Sequence, residues 1–151
     1  MPRHSAETFL TAVAPRTCLM ALDVSARRIG LAVTDPERTM ALPAGTIRRG
    51  KWEADAAALA NIIQEKRVGG LLIGLPLNMD SSIGPPAQSR LTFGRNLDIK
   101  LSSQGIEIAY IFVDERLTSH AARDILAGRG DAANAEDQLA ACQLLAQFLK
   151  I

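Results

Sequence analysis

The sequence predicts one α/β domain: a five-stranded mixed sheet, antiparallel over its first three strands and flanked by helices. Three observations carry that reading. Short apolar runs follow one another at the start, strand-like and helical spacing then alternate, and the link between the first two runs is hairpin-short. At 151 residues the chain fits a single domain with one sizeable core.

Taken in order, residues 1–17 form a polar leader, expected to be flexible and to lie outside the domain of residues 18–151. Cys18 to Val24 is a compact apolar run and Ile29 to Val33 a second, joined by Ser-Ala-Arg-Arg. Asp35-Pro36 signals a turn, and Ala41 to Ile47 offers the third strand. Trp52, Ala56, Leu59 and Ile63 then recur at intervals of three and four, the mark of one buried helix face. Val68 to Ile73 is too short for a helix and ends at Gly74, opening a polar loop that runs to Gly84. Pro85-Pro86 suits a helix start, with Ala87, Leu91, Gly94, Leu97 and Leu101 along its apolar face. Ile106 to Val113 is the fifth strand. Thr118 or Ser119 would cap a helix through Leu126, ended by Gly128 and Gly130. A last helix spans about Ala135 to Leu149, with Ala141, Leu144 and Phe148 inward.

Composition excludes several classes. No apolar run is long enough to span a bilayer, so no membrane association is expected. Thr, Glu and Pro interrupt the leader, which therefore does not read as a secretory signal. Cys18 and Cys142 each sit in an apolar segment and read as buried thiols of a cytoplasmic protein. Seventeen basic against sixteen acidic residues leave a net charge of +1, so any nucleic-acid surface must come from local clustering. Arg48, Arg49 and Lys51, with Arg27, Arg28 and Arg38 nearby, are one such cluster, although charges on a solvated hairpin edge explain them more simply. Few aromatic residues argue against a base-stacking platform.

The chemistry concentrates in three carboxylates. Asp23 ends an otherwise apolar strand, where a buried and unpaired charge costs several kcal/mol. Asp114-Glu115 ends the fifth strand in the same way. Asp137 precedes Ala141 by four residues and Leu144 by seven, so helical phase turns it inward. Sites of crossover-connected sheets gather beyond the carboxyl ends of their strands, where these groups could meet. Carboxylates without cysteine or histidine suit Mg²⁺ or Mn²⁺; zinc is disfavoured, since only His4 and His120 are present and neither is near in sequence. Each acid also has a structural alternative. Asp23 could bond a turn, Asp114 or Glu115 could pair with Arg116, and Asp137 could serve the helix dipole.

The segments Leu22-Asp23-Val24-Ser25-Ala26-Arg27-Arg28-Ile29-Gly30, Gly74-Leu75-Pro76-Leu77-Asn78-Met79-Asp80 and Asp114-Glu115-Arg116-Leu117-Thr118 resemble three signatures of the YqgF family. Asp137-Gln138-Leu139-Ala140-Ala141 resembles its fourth. The resemblance runs in order from about Leu19 to Leu149. It implies a ribonuclease H-like fold and a metal-dependent nuclease, described both as a Holliday junction resolvase and as the enzyme maturing the 5′ end of pre-16S ribosomal RNA. It also implies that Asp23, Glu115 and Asp137 are catalytic and bind the metal, Mg²⁺ or Mn²⁺. Arg27, Arg28, Asn78 and Arg116 are then expected to contact substrate or orient the ligands, and Ala140 and Ala141 to let the last helix approach the sheet. Ser25 stands where the family usually has glycine, and Ser81 where glycine often follows Asp80; serine adopts a positive φ less readily. Asp137 follows Gly-Asp-Ala-Ala-Asn-Ala-Glu rather than a basic stretch.

The expected function is phosphodiester hydrolysis of structured RNA, in pre-16S processing. The alternative is the same chemistry on branched DNA, which would need a two-fold dimer; otherwise the protein is a monomer or a homodimer. A non-catalytic nucleic-acid-binding module is the third reading. Sugar kinases and actin-like ATPases begin similarly, but they need a second such domain and a glycine-rich phosphate loop that this chain lacks.

Overall fold

In the computed structural model, residues 4–117 and 132–151 are described. The strands are β1 (Cys18–Val24), β2 (Arg28–Thr34), β3 (Ala41–Arg48), β4 (Val68–Leu75) and β5 (Ala109–Asp114). The helices are α1 (Ala6–Ala12), α2 (Trp52–Glu65), α3 (Pro85–Ser103) and α4 (Ala132–Leu149), with a 3-10 turn at Glu115–Leu117. The helix expected from Thr118 or Ser119 to Leu126 lies outside the described residues.

The sheet order is β3-β2-β1-β4-β5. β1 and β2 pair antiparallel, as do β2 and β3, whereas β4 lies parallel to both β1 and β5. This is the mixed sheet with an antiparallel opening that the sequence predicts. The first turn is closed by Ser25, whose N–H donates to the Arg28 carbonyl at 2.8 Å and whose hydroxyl accepts the Arg28 N–H at 3.0 Å. The Asp35 turn is closed likewise, its carboxylate accepting from the N–H groups of Thr39 and Met40.

Side chains alternate across the sheet, so its two faces are covered by different helices. Met20, Leu22, Leu71 and Ile73 pack with Leu59, Ile63, Phe93 and Leu97 of α2 and α3. Leu19, Ala21, Ala32 and Leu72 face Ala141, Leu144 and Leu145 of α4 and Phe9 of α1. Small residues dominate this second face, which lets α4 lie close across β1, β2 and β3. Cys18 and Cys142 are buried free thiols, and burial pushes both up from the usual thiol range. No described helix is long and apolar enough to cross a membrane.

Two boundaries differ from expectation. Residues 4–17 are not a loose leader: α1 buries Phe9 completely, and Phe9 meets Phe148 of α4 edge-to-face at 5.6 Å. The His4 N–H also donates to the Tyr110 carbonyl, which covers the outer edge of β5. The apolar run from Ile106 enters the sheet only at Ala109; Ile106 and Ile108 pack against the core from outside the strand.

Candidate nucleic-acid cleavage site

β1 and β4 end, and β2 begins, at the same end of the sheet. Asp23 is the penultimate residue of β1 and shares the face of Ala21, towards α4. Its antiparallel partner is Gly30 on β2. On its other flank the parallel pair Leu22–Ile73 places Gly74 of β4 beside it. Asp23 is therefore bracketed by two residues with no side chain.

Each glycine is covered by one of the other predicted acids. A Cβ at Gly30 would fall 2.3 Å from the Asp137 carbonyl oxygen and 2.6 Å from the Asp137 Cβ. A Cβ at Gly74 would fall 2.7 Å from Glu115 Oε2. Both contacts lie on the α4 face of the sheet, so Asp23, Glu115 and Asp137 are brought to one side of one sheet end. Gln138 fixes the start of α4 there: its Oε1 accepts the Gly45 N–H at 3.2 Å and its Nε2 donates to the Thr46 hydroxyl at 3.1 Å.

The arrangement is not a closed ligand set. Among the described residues no three His, Cys, Asp or Glu stand close enough to hold a metal ion. The Asp137 carboxylate is instead engaged by Arg28, whose Nε donates to its Oδ2 at 2.7 Å. In chemistry the donors do fit a hard cation. They are all carboxylate oxygens, the two glycines let Glu115 and Asp137 close in on either side of Asp23, and Glu115 Oε2 is shut off from solvent.

The other predicted residues separate by role. Arg27 is exposed in the β1–β2 turn. Arg116 bonds both oxygens of Asp114 through Nε, the Asn78 and Met79 carbonyls through Nη1 at 2.7 and 3.0 Å, and the Ser81 hydroxyl through Nη2 at 3.0 Å. It braces the loop after β4 against the end of β5. Hydrogen bonding to Arg116 holds the Asp114 carboxyl below its usual range. Asn78 is exposed on the same loop, its Nδ2 donating to the Ser82 hydroxyl at 3.0 Å.

The two serines that replace glycines behave differently. Ser25 is not among the residues with positive φ, because its hydroxyl closes the turn. Ser81 does adopt φ 70°, with its hydroxyl bonded to Arg116.

The basic cluster divides as well. Arg28 and Arg48 are cross-strand partners at the site end, and the Arg49 N–H donates to the Arg27 carbonyl. Arg38 lies elsewhere, bonded to the carbonyls of Ala14 and Thr17. Sequence reasoning passed over Arg90 on α3, which is half-buried with its Nε shut off from solvent. The available signal was its phase, on the stripe of Ala87, Gly94, Leu97 and Leu101. A cleft of about 380 Å³ lined by His4, Thr17, Glu107 and Ile108 sits where β4 and β5 begin, away from the acids.

Residues 17–151 match the sequence pattern of the RuvX family, described as “Holliday junction resolvase”. A protein of Paracoccus denitrificans named “Putative pre-16S rRNA nuclease” is 45% identical over 147 residues, covering 94% of this chain and 89% of its own length. A protein of the same name from Roseobacter denitrificans is 44% identical over 118 residues, 78% of this chain and 71% of its own. Among solved structures, Thermus thermophilus RuvC matches with a TM-score of 0.54 at 9% identity, over 89% of this chain and 95% of that one. That last likeness is one of fold, and it agrees with the ribonuclease H-like sheet the YqgF signatures imply. With its signatures in order on that sheet and the match spanning all but the first sixteen residues, this chain belongs to the RuvX family.

Proposed function

We propose that this protein is a nuclease that hydrolyses phosphodiester bonds in the 5′-end processing of pre-16S ribosomal RNA, using Asp23, Glu115 and Asp137 with Mg²⁺ or Mn²⁺. The observation that carries the reading is the pair of glycines flanking Asp23, each covered by one of the other two acids. The names of the relatives from Paracoccus and Roseobacter support the substrate. Processing of ribosomal RNA goes with a cytoplasmic location, and the two buried free thiols suit it.

The three carboxylates would hold the ion, with Arg28 keeping Asp137 at the sheet end until it is bound. A divalent ion there supplies an acidified water and neutralises charge at the phosphate. Asp23, central between the glycines, is the acid through which the other two act together. Of the residues expected near substrate, Arg27 and Asn78 are exposed to meet it. Arg28 and Arg116 act by position.

The test is cleavage of a labelled, 5′-extended ribosomal RNA precursor in Mg²⁺ or Mn²⁺, beside an EDTA sample and the Asp23→Asn variant. Metal-dependent cutting that Asp23→Asn loses, by at least about a hundredfold, is expected. Equal cutting by the variant would refute the site. The family's description favours a second reading, resolution of four-way DNA junctions, so a labelled junction runs in parallel. Paired symmetric cuts by a two-fold dimer would select that reading. Metal-independent binding without any cutting would leave a nucleic-acid-binding module.

A further inference from the structure

The acids occupy the α4 side of the sheet end; the opposite side carries two arginines that nothing above employs. Arg49 follows the last residue of β3. Its N–H donates to the Arg27 carbonyl at 2.8 Å and its Nη1 to the Ser25 carbonyl at 2.7 Å, so its guanidinium is anchored at the turn just beyond Asp23. That guanidinium also lies over the Phe93 ring, 5.5 Å from its centroid. Phe93 is three residues after Arg90 on α3, so their side chains are neighbours on one helix face. Arg49 and Arg90 therefore both neighbour the Phe93 ring.

Arg90 occupies an inward position. Ala87, Gly94, Leu97 and Leu101 of the same stripe are all buried, and Arg90, half-buried, is its one charged member. Its Nε is sealed from solvent and donates to no acceptor among the described residues; Nη1 reaches only the Ser89 hydroxyl, at 3.4 Å. Burial lowers its hold on its proton, Glu115 restores part of it, Arg49 lowers it again and Asp23 restores it.

Two neighbouring guanidiniums repel each other. One anion seated between them would relieve that repulsion. Guanidinium groups present paired donors that match phosphate oxygens. We propose that Arg49 and Arg90 form a two-pronged seat for a phosphodiester group of the substrate strand, adjoining the one cut at Asp23, Glu115 and Asp137. The inference rests on the nuclease reading and adds to it the residues that fix the strand's backbone. Cations on one side and acids on the other would then set the direction in which the strand crosses the sheet end.

Binding without cutting separates the two ideas. In EDTA, fluorescence anisotropy would give the affinity of the precursor RNA and of the four-way DNA junction between roughly 50 and 200 mM salt. The proteins are the wild type, Arg49→Met, Arg90→Met, Arg90→Lys, Asp23→Asn and, as a control on the exposed flank of α3, Arg95→Met. Thermal melts accompany each, and Arg49→Met carries the test if Arg90→Met does not fold.

Each methionine variant should bind about tenfold more weakly, independently of sequence, with a log–log salt slope smaller by about 0.7 to 0.9. Arg90→Lys should keep the slope but not the full affinity, because a point charge replaces a fork. Asp23→Asn should bind as the wild type does while failing to cut, and Arg95→Met should do both normally. Unchanged affinity and slope in both methionine variants would overturn the seat and leave the nuclease reading standing. A wild type that neither binds nor cuts either substrate would overturn both. The stronger of the two nucleic acids identifies whose phosphodiester is held.

Discussion

At Gly30 the missing side chain lets the backbone of Asp137 lie directly on the sheet. Gly30→Ala would bring a Cβ to 2.3 Å from a backbone oxygen, and backbone cannot step aside as a flexible side chain can. The variant should lose about 1–3 kcal/mol in urea unfolding and most of its cleavage, since α4 must lift with Asp137. Gly50→Ala is the contrast: nothing lies within 4 Å of its added Cβ, so stability should stay within about 0.5 kcal/mol. The Asp114–Arg116 pair gives a pH signature. Because the folded carboxyl titrates below its ordinary value of 3.8, the stabilisation it brings is complete above that pH and disappears as pH falls through the lowered folded value. The stability gap between wild type and Arg116→Met should accordingly be constant above about pH 5 and narrow below the carboxylate range, as read from urea titrations at stepped pH. The position of Asp23 near a strand end and the inward phase of Asp137 were legible. The bracing role of Arg116 was not, because nothing local in the sequence shows that the loop after Gly74 folds back onto β5. Arg90 was passed over because apolar Leu91 beside it satisfies the same helical stripe.

Among the elements, β1 and α2 coincide with the patterns that predicted them, since β1 is a continuous apolar run buried on both faces and α2 repeats against one face. α1 was illegible for the opposite reason. Seven residues carry fewer than two full turns of periodicity, and its anchoring rests almost wholly on Phe9. Its value lies in tertiary contact, with Phe148 at one end of the chain and Gly70 of β4 beneath. Phe9→Ala should destabilise the fold by about 3–5 kcal/mol, measured by urea unfolding. The surviving folded fraction should cut normally per molecule, because α1 packs away from the acids. β3 is an edge strand protected by its own irregularity. Its ladder shifts register between Leu31 and Ala32, Pro43 lies within it, and Gly45 takes φ 107°. With exposed Met40 and Leu42 alongside, Pro43→Val should produce concentration-dependent self-association in light scattering.

For the molecule as a whole, an ion held by the three acids would bind the folded state alone. Mg²⁺ or Mn²⁺ at about a hundred times its Kd should contribute about 2.7 kcal/mol and raise the melting temperature by roughly 5–10 °C. Asp23→Asn should show no such rise in a calorimetric scan, whatever nucleic acid is offered. The sheet order was readable because crossovers and hairpins leave few alternatives for five strands. The closing of the site was not, because it depends on pairs such as Arg28–Asp137, which lie 109 residues apart. That separation bears on timing. A ribosome releases β1 and β2 long before α4, so an emerging chain carries Asp23 and later Glu115 while the third acid is still being made. On the three-acid reading, the newborn protein would sit against ribosomal RNA throughout its synthesis, yet become able to cut only when α4 folds back over the β1–β2 hairpin.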